Sequence, residues 1–262
     1  VIGAILFLPL LIRGWKEVSS LGQRGWISVL WISIFGGVLG TFFYTKALSY
    51  VNYIDLSVVV LLQKLQPIFA IALAGVILKE KITKRFIILA FAAIVGGYLV
   101  TIGSSYINDW DDKTIIEALL AFLVTLSWAG STVLGKRARN RLSFTTVTSL
   151  RLAITASVTA FVLLSTGQYD AINNMTLSHW GFIVLIVLST GSLALFFYYY
   201  GLNKLPASHA TLYELFWPLS AVGLDWFIRG NILSLPQWVG AILLLGAIII
   251  LTRETNNGQT QS

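Results

Sequence analysis

The chain has 262 residues, 56% of them hydrophobic and only 11% charged, with 18 Lys and Arg against 11 Asp and Glu. A soluble domain carries about 25% charged residues, so this composition describes a polytopic membrane protein with no room for a soluble domain. Cysteine is absent and the two histidines, His179 and His209, lie far apart, which excludes disulfides, thiolate chemistry and Cys-based metal sites and leaves no HExxH spacing.

About 20 apolar residues cross a bilayer. Residues 1–12 fall short of that and read as the end of a helix whose beginning is missing, because Val1 stands inside an apolar run; no signal peptide is visible. Full spans are predicted near 26–47, 56–78, 86–104, 115–135, 145–166, 180–202, 209–228 and 237–252, eight in all after the stump. The polar tail from Arg253 is expected to be disordered. The connections alternate in charge. Arg13, Lys16 and Arg24 follow the stump, and every second gap after it is basic: Lys79, Lys81, Lys84 and Arg85, then Lys136, Arg137, Arg139 and Arg141, then Lys204. The gaps between hold Lys46 and Asp55, an acidic group (Asp109, Asp111, Asp112 and Glu117, with Lys113), Asp170, and Arg229. This is the positive-inside pattern: the basic gaps and the tail are cytoplasmic, and Lys136–Arg141 sets topology rather than binding nucleic acid.

The sequence repeats internally. A shift of 154 matches Trp26 with Trp180, Gly37 with Gly191, and Phe42, Phe43 and Tyr44 with Phe196, Phe197 and Tyr198. Three extra residues after Leu48 change the shift to 151, so that Ser57 meets Ser208, Leu61 meets Leu212, Gln63 meets Glu214 and Pro67 meets Pro218. Five spans separate the paired tryptophans, so equivalent helices run in opposite directions, a construction common in secondary transporters. The expected fold is an all-α membrane protein, a ten-helix (5+5) inverted-repeat transporter, here lacking helix 1 and most of helix 2. Residues 1–109 would form the first repeat, 110–252 the second, and 253–262 a polar cytoplasmic tail.

Polar residues deep in the spans are the candidates for chemistry. Pro67 and Pro218 are read as kinks, each freeing the carbonyl four residues earlier, on Gln63 and Glu214; hydrocarbon cannot satisfy such a carbonyl, so both kinks should face protein or a water-filled cavity. Gln63 and Glu214 lie about 9 Å inside opposite ends of their spans. An ionised Glu or Lys in a membrane interior costs several kcal/mol unless paired or hydrated, which makes Glu214 the first functional candidate, as proton carrier or as counter-charge to a substrate amine. Lys64 would anchor a substrate carboxylate, pair with Glu214, or snorkel toward the outer interface. Gln63 and Gln66 offer neutral donors and acceptors to a substrate or a neighbouring helix. Tyr44, Tyr198, Tyr213, Trp217 and Trp128 gather near the same depth, to stack on a substrate or to pack and form interface belts. Arg151, near the cytoplasmic end of its span, is expected to snorkel, Asp225 and Arg229 to pair at i,i+4, and Gly36, Gly37, Gly40, Gly96 and Gly97 to let helices approach closely.

Two runs carry a family resemblance: Ala47-Leu48, then Pro67, then Glu80 with Thr83, and Gly201-Leu202, then Pro218, then Asn231 with Ser234. In this pattern, over essentially the whole chain, the sequence resembles the EamA-type branch of the drug/metabolite transporter superfamily. Asn231 stands where the family often has Glu, and Lys79 where a Gly frequently precedes Glu80. The resemblance implies two inverted five-helix repeats around a central cavity lined here by spans 26–47, 56–78, 180–202 and 209–228. It implies a secondary transporter of the bacterial cytoplasmic membrane, exporting small metabolites, amino acids first, by alternating access. Substrate binding is assigned to Glu214, Gln63, Lys64, Tyr213, Trp217, Tyr44 and Tyr198, with Pro67 and Pro218 as hinges. No GxxxxGK[ST] motif occurs, so ATP hydrolysis is not expected, nor is an enzymatic activity, a cofactor, a metal or a nucleic-acid partner. The partners are a small-molecule substrate and the bilayer, with proton coupling and oligomeric state left open. A multidrug or organic-phosphate/nucleotide-sugar exchanger is the alternative within the fold, although phosphate calls for several deep basic residues and only Lys64 is deep. A channel or an intramembrane enzyme is the alternative outside it; the first needs a ring of like polar groups, the second a nucleophile–base pair or metal ligands at depth.

Overall fold

A computed structural model describes residues 1–49, 63–102, 112–167, 175–230 and 232–259. Every regular element among them is helical, as hydrocarbon requires of a chain that must satisfy its own backbone. Among the described residues six helices are long and apolar enough to cross a membrane: Gln23–Ala47, Lys84–Thr101, Ala118–Arg139, Phe144–Thr166, Leu177–Lys204 and Leu235–Glu254. The chain is a multi-pass membrane protein. Of the other two predicted spans, 56–78 is described only from Gln63 onward, and 209–228 is not one helix but two, Ala207–Tyr213 and Phe216–Arg229. The three-residue insertion, Asp55, Ser57 and Leu61 lie outside the described residues, as do Asp109, Asp111, Asp170, Asn231 and the side chains of Asp225 and Arg229.

Among the described residues three π-helical turns interrupt the α-helices, at Ile34–Leu39, Ala74–Leu78 and Val187–Gly191. Shifted by 154, Ile34 to Gly37 falls on Leu188 to Gly191, so two of the turns occupy matching places in the sequence pattern. The chain forms two compact units, Val1–Gly40 with Gly130–Lys204, and Thr41–Ala129 with Leu205–Ser262.

In the first unit Ile2–Arg13 and Gln23–Ser33 both pack on Phe144–Thr166. Phe196 meets the rings of Phe7 and Phe144, with centroids 5.9 and 5.0 Å away. Ser143 starts Phe144–Thr166 as its N-cap, and a Glu17 carboxylate oxygen accepts from the Ser143 N–H at 2.5 Å. The basic run has a local task as well as a topological one. Lys136 Nζ donates to the carbonyls of Leu202 and Asn203 at 2.8 and 3.2 Å, where Ser192–Lys204 ends, and Arg139 bonds Asn203 and the Leu142 carbonyl. Cations are favoured at that pole of a helix.

In the second unit Lys84–Ile102 and Leu235–Gln259 cross at two glycines. A Cβ on Gly96 would sit 2.7 Å from the Gly240 carbonyl oxygen, and one on Gly240 2.6 Å from that of Gly96, so the backbones touch as small residues allow in membrane helices. Phe86, Ala90, Ala93, Leu244 and Leu251 of this pair enclose Leu212 and Leu215. The last helix runs to Gln259 rather than ending at 252 in a disordered tail. Polar anchors beyond 251 hold it: Glu254 pairs with Arg85 at 2.6 Å, and the Thr252 hydroxyl donates to that of Tyr213 at 3.2 Å.

Candidate functional site

Two helices of the second unit begin just after a two-residue turn that holds a charged residue. One run turns at Lys64 and Leu65 before Gln66–Leu73 begins; the other turns at Glu214 and Leu215 before Phe216–Arg229 begins. Pro67 and Pro218 stand in the first turn of the new helices, where a missing N–H costs no hydrogen bond. Among the described residues each stands in a helix that begins just past a two-residue turn. The Glu214 carbonyl is not left bare either, because it accepts from the Trp217 N–H at 3.1 Å, three residues on.

The second turn is placed by Glu80, through the helix that leads into it. Lys79, ending the π-helical turn Ala74–Leu78, takes the left-handed conformation (φ 57°, ψ 35°), the place where the family pattern frequently has Gly. The Glu80 carboxylate accepts from the backbone N–H groups of Ala207 and Ser208 at 2.7 and 3.0 Å and from the Ser208 hydroxyl at 2.5 Å. An anion there satisfies donors that the helix start leaves open. Ala207–Tyr213 is thereby fixed at one end, packs against Gln66–Leu73, and delivers Glu214 at the other.

Gln66 Nε2 donates to Glu214 Oε2 at 2.7 Å. The repeat makes Gln63 the counterpart of Glu214, yet the bonded residue is Gln66, one turn further in. Lys64 does not snorkel: it is only 5% exposed, and its ammonium lies 5.2 Å from the ring centre of Trp217, itself 58% exposed. Among the described residues two buried polar atoms in this region have no hydrogen-bond partner, the Gln63 amide nitrogen and the Thr211 hydroxyl, the latter one turn before Glu214. Each such orphan costs about 1–3 kcal/mol and calls for an explanation; a bound ligand supplies one.

The aromatic candidates divide. Trp217 joins Lys64. Tyr213 points to Thr252 and the helix pair Lys84–Ile102/Leu235–Gln259, and Tyr44 packs on Trp128 with ring centres 5.4 Å apart beside Ala47 and Ala121. Tyr198 belongs to the first unit, where its hydroxyl donates to Thr132 at 3.0 Å. Sequence reasoning did not give Thr211 a role and left Glu80 as a motif position. The spacing of Thr211 and Glu214, three residues apart on one helix face, was the available signal for the first. Among the described residues no group of three or more His, Asp and Glu is gathered that would hold a metal.

The EamA-like transporter family matches residues 1–102 and 115–253. A protein of Fusobacterium nucleatum named riboflavin transporter ImpX is 37% identical over 240 residues, covering 91% of this chain and 80% of that protein. A riboflavin transporter of Brucella anthropi is 23% identical, covering 97% of this chain and 85% of its own length. A solved crystal structure shares the fold with a TM-score of 0.66 at 15% identity, over 98% of this chain and 96% of the other.

Proposed function

The chain belongs to the EamA-like transporter family, and from that premise we propose that it carries riboflavin or a close flavin across the bacterial cytoplasmic membrane. Transport would be secondary, by alternating access of two inverted five-helix repeats, with the basic loops and the C-terminus cytoplasmic. The single observation that carries the reading is the pair of helix-starting turns, which gathers Lys64, Gln66, Glu214 and Trp217 near the Gln63 amide and the Thr211 hydroxyl, both unpartnered among the described residues. Interrupted helices are where transporters place their substrate groups. Riboflavin is a flat heteroaromatic ring with a chain of hydroxyls. Hydroxyls can both donate and accept, so they suit Gln63, Thr211 and the Gln66–Glu214 pair, while the exposed face of Trp217 suits the ring.

Amino-acid export is the second reading, and the opposite charges of Lys64 and Glu214 favour it, since a zwitterion presents both partners. Counterflow in proteoliposomes separates the two. Vesicles loaded with unlabelled riboflavin should accumulate labelled riboflavin saturably, and a mixed amino-acid load should not compete. Competition by amino acids with no flavin exchange would establish the second reading, and Glu214→Gln measured across external pH would report whether a proton is coupled.

A further inference from the structure

The first unit holds a cation that pairs with no carboxylate among the described residues. Arg151 lies seven residues after Phe144 in the helix Phe144–Thr166, about 10 Å along it at 1.5 Å per residue. It does not snorkel. Its Nη1 donates at 2.9 Å to the hydroxyl of Tyr199, a residue with no exposed surface, and its guanidinium lies 5.8 Å from the Tyr199 ring centre. The unit contains two acidic residues, Glu17 and Asp170. Glu17 is engaged by the Ser143 N–H, at the start of the helix, and Asp170 lies outside the described residues.

The other arm of the guanidinium is placed by a glycine. A Cβ on Gly36 would meet Ser131 Oγ and lie 3.3 Å from Arg151 Nη2, so the bare backbone of Gly36 leaves room for that arm. Gly36 belongs to the π-helical turn Ile34–Leu39, a departure from α-geometry that is frequent at functional sites. One residue along the facing helix, Gly130 lies against the indole of Trp31, whose ring stacks on Phe35 at 4.2 Å. The Trp31 indole N–H is buried with no hydrogen-bond partner among the described residues. One helix crossing therefore brings together a guanidinium arm, an unanswered indole N–H and the Ser131 hydroxyl.

We infer that Arg151 and Trp31 form a donor site for the acceptor edge of the transported molecule, a planar group with two neighbouring acceptors such as the paired carbonyl oxygens of a flavin ring or a carboxylate. A guanidinium fork recognises such an edge with two parallel bonds, which an ammonium cannot reproduce. The indole N–H is a donor only, so it too calls for an acceptor. The choice of the flavin edge rests on the riboflavin reading above; the donor site itself rests on the residues.

The test is riboflavin counterflow in proteoliposomes with wild type, Arg151→Gln, Arg151→Lys and Trp31→Phe, each reconstituted in equal amount. Arg151→Gln should raise KM about tenfold or more with the maximum rate nearly kept, the size expected for one lost charge-assisted bond. Arg151→Lys should recover only part of this, and Trp31→Phe, which keeps the ring and removes the N–H, should raise KM about threefold or more. An unchanged KM in both Arg151→Gln and Trp31→Phe, with altered melting temperature or maximum rate, would overturn the inference while leaving riboflavin transport standing. If wild type exchanges no flavin, the riboflavin reading fails, and thermal shift with a panel of carboxylate metabolites takes over. Stabilisation that Arg151→Gln abolishes keeps the donor site, and stabilisation that the variant retains, or none at all, removes it.

Discussion

At the scale of single residues, the second unit carries polar groups that burden the fold unless something answers them. The Gln63 amide is the clearest, buried and without a partner among the described residues. Gln63→Leu removes the orphan and should leave the protein equally stable or more stable by about 1 kcal/mol, while riboflavin counterflow falls about tenfold, as for one lost substrate hydrogen bond. Thermal denaturation in detergent beside counterflow in vesicles checks both halves; a loss of stability would show that Gln63 holds the fold instead. Such opposite movement of stability and activity is the mark of a binding group. The charge of Glu214 and Lys64 inside apolar runs was legible in the sequence, because few residues are as conspicuous there. The bond from Gln66 rather than Gln63 was not, since it depends on which turn of one broken helix meets the other. Nor was the place of Arg151 legible: near the end of a span it reads as a snorkelling cation, and its partner Tyr199 lies 48 residues away.

At the scale of elements, the turn through Lys79 and Glu80 decides how the broken helix Ala207–Tyr213 is presented. Left-handed backbone costs a side-chain-bearing residue about 1–2 kcal/mol, and glycine adopts it freely. Lys79→Gly should therefore raise stability by about 1 kcal/mol, read as a higher melting temperature. Glu80→Gln, which removes the charge and one acceptor from the start of Ala207–Tyr213, should cost about 1–2 kcal/mol and slow transport by loosening Glu214. If Glu80→Gln melts like wild type, the carboxylate is not what fixes that helix. Helix contact is the other element-scale determinant. Gly96→Val would drive a branched side chain into the Gly240 backbone and should cost about 2–4 kcal/mol, a far larger loss than Gly246→Val in the same helix pair, where a Cβ meets nothing within 4 Å. The sequence already marked Gly96 as a packing glycine, but Gly240 emerges only from the crossing. The prolines show the same limit. Their presence announced an interruption, while its form, a two-residue turn followed by a fresh helix, depends on hydrogen bonds such as that of Trp217 to Glu214.

At the scale of the whole molecule, the helical membrane architecture was legible because long apolar runs admit almost no other structure in hydrocarbon. The compact units were not, since each draws on two separated stretches, residues 1–40 with 130–204 and 41–129 with 205–262; contact between distant helices leaves no mark in local composition. Topology is a separate matter and rests on charge. Every second connection is basic, and moving those cations to the outer face is what the positive-inside bias opposes. The chain contains no cysteine, so single cysteines report sidedness without background. Ser20→Cys and Asn140→Cys, both exposed and both in basic connections, should react with a membrane-impermeant maleimide only when the cytoplasmic face is opened. Ser49→Cys and Leu177→Cys, exposed in the intervening connections, should react in intact cells. Labelling in the reverse sense would invert the orientation, and labelling of Ser20→Cys and Ser49→Cys from the same side would remove the crossing between them. That crossing, Gln23–Ala47, contains the π-helical turn with Gly36. Its direction fixes which end of the helix faces the cytoplasm.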